Sequence, residues 1–295
     1  MATSDSPAGA QRRLRLALRR ARDAAGLTQS QVGEPLGWSL SKVQRIESGD
    51  SRISITDLDS LLRLLGVTEP DRIASLTADA KLARKRGWWD EARYRTHLTP
   101  GVLKIAQYEQ TANVIRVFQH AFFPGLLQDE KYAEAILQSM LNDLPEETWK
   151  IRLEARMRRQ EDVWSRTDPL QYLLILDELL LQRVIGNATI MVRQLKVVLD
   201  ALKRPGLTIR LLPKEEALSV LTGQFNIYSF EDEENAVLYR ELSMTDEVVY
   251  DAAEVGRYRQ RFERMWELSL TREATVNAIE AQYASLRALL SRNRG

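Results

Sequence analysis

Through the first 87 residues, apolar positions recur three and four apart in short segments, each followed by a glycine. From Gln11 to Ala25 this spacing puts Leu14, Leu18 and Ala21 on one side of a helix that Gly26 stops. Thr28 is set to cap a second helix. Gln31, three residues on, completes a capping box, and Gly37 closes the turn. Ser39 then caps a third helix with Val43 and Ile46 on one face and Gly49 as its stop, while Ser41 and Arg45, four apart, share another face. Trp38 just before that cap can staple onto Val43 and fix where the outward side chains point. Ser54 opens a fourth helix with Leu58, Leu61, Leu62 and Leu65 inward. Thr68-Glu69-Pro70-Asp71 opens a fifth, which is expected to continue through the basic run Lys81–Arg86 to Gly87. Pro35 lies inside the second helix without an N–H to give Gln31, so that helix is expected to end or kink near Glu34.

Beyond the adjacent tryptophans Trp88 and Trp89, one of which is expected in a core and the other at a contact surface, the helical period returns. Val102, Ile105, Ala106 and Val114 to Val117 are read as one helix, Phe122 to Leu127 as an apolar turn, and Tyr132, Ala135, Ile136 and Leu137 as the next helix. Pro145 opens a long charged helix whose alternating Arg and Glu residues predict a solvated or salt-bridged face. After Pro169 the period changes. LQYLLIL suits a buried strand, Ile190 to Leu202 is helical, and LTIRLLP, QFNIYSF and AVLYREL are strand-like, with an acidic turn at Glu231–Glu234. Tyr258, Phe262, Met265 and Trp266 stripe one closing helix. Val276, Ile279, Tyr283, Leu286 and Leu290 stripe the last, as core or as a dimer surface.

Charge changes this picture. Residues 1–86 hold 15 Lys and Arg against 10 Asp and Glu, and the remainder 27 against 31, so a head of +5 stands on a body of −4. That asymmetry favours turning the head toward a polyanion, with some of Arg12, Arg13, Arg15, Arg19, Arg20 and Arg22 meeting phosphate. The chain has no cysteine and only His97 and His120, which excludes disulfides and thiolate sites and gives no zinc spacing; no metal or other cofactor is expected. No apolar leader or long apolar span is present, so the expectation is a cytoplasmic protein with no membrane partner.

The stretch LTQSQVGEPLGWSLSKVQRIESG resembles the lambda-repressor-type helix-turn-helix of the XRE regulators, over roughly Leu14 to Val67. The resemblance implies that the Ser39 to Ser48 helix enters the major groove of double-stranded DNA. Leu40, Ser41, Gln44 and Arg45 would face base edges, and Gln29, Ser30, Ser39 and Lys42 would hold phosphates. Arg45 is the strongest candidate for specificity, because a guanidinium can donate to both O6 and N7 of guanine. Farther on, RGWWDE, IAQYEQTANVIRVFQ, FFPGLLQDEKYAEAIL, LILDELLLQRVIG and TGQFNIYSF occur in an order similar to the C-terminal domain of the actinobacterial antitoxin-like regulators, the WhiJ-type proteins among them. That likeness implies a repressor of a kind commonly encoded beside a small partner protein which it binds.

The expected fold is therefore mainly α with a smaller α+β part: a five-helix helix-turn-helix domain over 11–79 after a disordered tail at 1–10, a connecting helix over 80–96, and a C-terminal helical domain with a small β-sheet over 97–295. Because one such domain reads few base pairs, a homodimer on a pseudo-palindromic operator is expected. Three other classes compete. An enzyme finds no support, since Glu109, Asp177 and Glu178 sit in no nucleophile elbow, phosphate loop or metal spacing. A small-molecule sensor would use Trp88, Trp89, Tyr108, Phe122 and Phe123 to line a regulatory pocket or interface. A pure interaction module would lack the basic face that this head carries.

Overall fold

The computed structural model describes residues 7–49, 51–85, 87–140, 145–216, 221–230, 236–241 and 246–292. The first six residues of the expected tail, Arg86 of the basic run and the acidic turn Glu231–Glu234 lie outside the described residues. The chain divides into two compact units, Met1–Glu91 and Ala92–Gly295. The fold is mainly helical with a smaller α+β part, as the periodicity predicts.

The first unit holds α1 (Pro7–Ala24), α2 (Gln29–Leu36), α3 (Leu40–Ser48), α4 (Ile55–Leu64) and α5 (Pro70–Ala83). They enclose a core built from Leu14, Leu18, Val32, Val43, Ile46, Leu58, Leu61, Leu62 and Leu76. α1 starts at Pro7, four residues before the expected start, because proline is harmless in a first turn and Ala10 is fully buried. α2 also departs from expectation, running through Pro35 to Leu36. The proline falls in the last turn of an eight-residue helix, where it removes a single main-chain bond. Gly37, at φ +65°, then closes the helix, with its own N–H donating to Glu34 O (3.2 Å) and the Trp38 N–H to Gly33 O (2.8 Å). α5 stops at Ala83, short of the expected Gly87, and the chain enters a tight turn at Trp88–Asp90. Both tryptophans are buried there as an edge-to-face pair, ring centroids 5.8 Å apart.

The second unit is a six-stranded mixed sheet with helices on both faces. Its elements are α6 (Ala92–His97), α7 (Pro100–Glu109), β1 (Val114–Gln119), α8 (Glu130–Met140), α9 (Glu146–Trp164), β2 (Gln171–Asp177), α10 (Ala188–Ala201), β3 (Leu207–Leu212), β4 (Phe225–Ser229), β5 (Val237–Glu241), β6 (Asp246–Val249), α11 (Ala252–Leu268) and α12 (Arg272–Arg292). The strand order is β3-β2-β1-β4-β5-β6, parallel from β3 to β1 and antiparallel from β1 to β6. The reading of Val114 to Val117 as helix is thus corrected. Those residues form β1, a central strand paired with β2 in parallel and with β4 in antiparallel register. Three apolar residues in four fit either period, and here the branched Val114, Ile115 and Val117 go to the pleated sheet, whose two ladders satisfy the main chain on both sides.

Alternation along the strands divides the core. Ile115, Val117, Leu174, Leu176, Ile209, Tyr228 and Tyr239 pack in one cluster with residues of α8, α9, α10 and α12. Phe118, Ile175, Phe225, Ile227 and Leu238 pack in the other with Val255, Phe262 and Met265 of α11. The last two helices thus cover opposite faces of the sheet.

Candidate nucleic-acid interface

The local chemistry of the third helix sets its orientation. Ser39 caps it through a hydrogen bond accepted from the Lys42 N–H at 3.2 Å, and Gly49, at φ +81°, ends it. Val43 and Ile46 are buried, and this fixes the rotation of the helix. The opposite face presents Ser39, Leu40, Ser41, Gln44 and Arg45, all exposed, with Leu40 keeping 46% of its surface in water. The preceding helix approaches so closely that a Cβ on Gly33 would lie 2.7 Å from the Trp38 carbonyl oxygen, so this turn requires glycine. Thr28 and Gln31 form the expected capping box.

Behind the exposed face lies a polar knot that ties three helices together. Glu47 on α3 accepts from Arg22 of α1 at both carboxylate oxygens (2.6 and 3.1 Å) and from the Gln29 amide of α2 at 2.7 Å. Both partners of the ion pair are largely buried, and the hydrogen bonds and charge of Glu47 raise the Arg22 pKa above its ordinary value. Arg15, also buried, donates to Ser48 O at 3.0 Å, placing a cation at the C-terminal end of α3. Sequence reasoning missed Arg22 and Glu47 because they stand 25 residues apart with no periodic relation; buried charge inside a short helical domain is the only signal they leave.

The side chains proposed for contact therefore fall into two groups. Arg45 is exposed, with its Nε donating to Ser41 O at 3.3 Å, and among the described residues it has no ion pair. Glu47, two residues on, is engaged by Arg22 and Gln29, and Asp50 lies outside the described residues. Ser30 is exposed, but the Gln29 amide is turned inward to Glu47. Lys42 lies 4.0 Å from the Trp38 ring centroid and 3.1 Å from Asp57, in a pair about one-third exposed. Of the six α1 arginines, Arg13 pairs with Asp79 at 2.5 Å, Arg15 and Arg22 are bound as described, and Arg19 and Arg20 are exposed. The basic face of α1 is thus partly internal wiring.

The aromatic residues expected to line a regulatory pocket do not converge. Trp88 and Trp89 belong to the first unit, and Tyr108 packs against Tyr228 and Phe230 with its hydroxyl 2.7 Å from that of Tyr250. Phe122 and Phe123 do line a cavity in the second unit, of about 100 Å³, together with Glu109, Gln128, Arg156, Arg159, Gln224, Asn226 and Glu241. The charged helix α9 turns part of its polar side inward here. Arg159 is buried in a two-point pair with Glu109 (2.8 and 2.6 Å), and Arg156 donates to Gln128 at 2.7 Å. Asp177 and Glu178, weighed as catalytic acids, accept from the Leu179 and Lys214 main-chain N–H groups.

A capped pair of helices held at a glycine turn, with the second presenting a polar face, defines a helix-turn-helix DNA-binding domain. Residues 13–76 match a helix-turn-helix domain family. Residues 102–281, more than half of the chain, match a domain of unknown function, DUF5753, and the protein belongs to that family. No curated protein and no solved structure matches the chain. Among the described residues, no helix is long and apolar enough to cross a membrane.

Proposed function

We propose that the protein is a sequence-specific transcriptional repressor that binds a pseudo-palindromic operator as a homodimer, with α3 in the major groove. The observation that carries this reading is the exposed row Leu40, Ser41, Gln44 and Arg45, on a helix whose opposite face is locked by Val43, Ile46 and Glu47. Arg45 reads a guanine edge, Ser41 and Gln44 read neighbouring bases, and Leu40 contacts a thymine methyl. Ser30, Ser39 and the first-turn amides of α2 hold phosphates, since a helix N-terminus leaves N–H groups without intrahelical partners. Lys42 joins them by exchanging Asp57 for a phosphate. A partly exposed pair of that kind is worth only about 0–1 kcal/mol, so the exchange costs little. The second unit receives the signal that regulates binding, and the antitoxin-like resemblance favours a small protein encoded nearby as its source.

Titration of the full-length protein onto its own promoter fragment, with mass measured at saturation, tests this reading. The expected result is two protomers per operator with half-sites about one helical turn, roughly 34 Å, apart. A single protomer on a saturated operator would remove the dimer from the proposal.

A further inference from the structure

The cavity of the second unit sits on the helix-covered face of the sheet where β1 ends and β4 begins. Here the chain leaves β1 after Gln119, and β4 enters antiparallel to it at Phe225. Its wall carries two opposite charges that do not meet. Among the described residues Arg156 has no carboxylate within ion-pair distance and spends one hydrogen bond on Gln128; Glu241 has no cationic partner and accepts only from Gln224, at 3.0 Å. Arg156 is partly buried, and burial lowers its pKa to about 10 against the attraction of Glu241, which stands at the exposed rim of the cavity beyond ion-pair distance. On the same sheet face, Gln224 Oε1 and Asn226 Oδ1 are buried without a protein donor. The rest of the lining includes Val102, Ile105, Ile136 and Phe122.

We infer that this cavity binds a small zwitterion, an α-amino acid with a short apolar side chain, whose carboxylate meets Arg156 and whose ammonium meets Glu241 and the carbonyl oxygens of Gln224 and Asn226. A guanidinium offers a carboxylate two parallel N–H groups, and an ammonium offers three donors to a carboxylate and two amide oxygens. The volume sets the size. At 10–15 Å³ per water, a cavity of about 100 Å³ holds roughly seven to ten non-hydrogen atoms, the size of valine or leucine. The neighbouring Arg159–Glu109 pair is closed on itself and contributes a neutral wall. The binding claim stands on this geometry alone.

Calorimetric titration and thermal unfolding of the full chain without DNA test the site, using L-valine, L-isoleucine and L-leucine as probes. 4-Methylpentanoate and 3-methylbutylamine, which keep the leucine side chain but lose one charge each, serve as controls. The expected result is saturable binding of at least one probe below about 1 mM, weakened about tenfold or more in Arg156→Met and in Glu241→Gln, because each removes a charge-assisted contact. Glu241→Gln keeps the acceptor oxygen and volume, and its unfolding midpoint without ligand reports whether the fold survives. Absence of binding by all three amino acids at 10 mM would overturn the proposal. So would equal binding of 4-methylpentanoate, or binding unchanged in both variants. Because no DNA is present, none of these results depends on whether the first unit reads an operator.

Discussion

Replacing Glu47 by alanine should loosen α3 without touching its exposed face. In the native domain the carboxylate accepts two hydrogen bonds from Arg22 and one from Gln29, with the Glu47 side chain 9% and the Arg22 side chain 11% exposed. Hydrogen bonds to a charged group contribute about 1.5–3 kcal/mol each, and breaking a buried pair by removing one partner costs about 3–5 kcal/mol. Arg22 keeps two other acceptors, Asp23 at 2.7 Å and Leu27 O at 2.9 Å, so its charge is not stranded. The expected loss is therefore below that range, about 2–3 kcal/mol, a large share of the stability of a small domain. Urea unfolding of the full-length protein gives the magnitude, and hydrogen exchange of the α2 and α3 amides shows where it falls. Glu47→Ala and Arg22→Met, alone and together, form a cycle in which the double variant should lose clearly less than the sum of the singles. Single variants within 0.5 kcal/mol of the native protein, or additive losses, would refute the argument that this pair positions α3.

Three further perturbations test other parts of the structure. Gly33→Ala forces a Cβ to within 2.7 Å of the Trp38 carbonyl oxygen. A clash of that kind costs about 1–3 kcal/mol, against at most ~1 kcal/mol gained in helix propensity, so a net fall in urea-unfolding stability is expected and a gain would contradict the close approach. Arg45→Ala should lose about 1–3 kcal/mol on the cognate operator and relax selection at one base pair; in competition binding, equal losses on cognate and scrambled duplexes would exclude base reading. Glu109→Leu leaves the Arg159 guanidinium buried and unpaired and should cost about 3–5 kcal/mol, while the double change Glu109→Leu with Arg159→Met should recover most of it; chemical denaturation of each variant distinguishes these outcomes.

The first unit was legible because its determinants are local. Thr28, Ser39 and Ser54 cap the helices they were expected to cap, Gly37 and Gly49 stop them, and Val43 and Ile46 point inward. Pro35 misled because α2 runs on to Leu36 despite the N–H that Pro35 cannot give to Gln31, and Gly37 supplies the stop. The sheet was only partly legible. Strands β2 to β5 show as apolar runs, but the apolar spacing of β1, Val114, Ile115, Val117 and Phe118 around Arg116, fits a helix as well as a strand, and β6, Asp246–Val249, has only two apolar residues. Least legible were the buried polar side chains. Arg22 with Glu47, Arg159 with Glu109 and Arg156 with Gln128 are 25, 50 and 28 residues apart, and the α9 arginines share the alternating pattern of a solvated helix. Only the fold brings them together.

Footprinting on the promoter region of the protein's own gene, at two salt concentrations, tests the central claim most directly. The expected result is a protected pseudo-palindrome whose occupancy falls steeply as salt rises, since phosphate contacts release counterions. Absence of protection at either salt would contradict DNA reading by α3 and leave the first unit as a protein-interaction module.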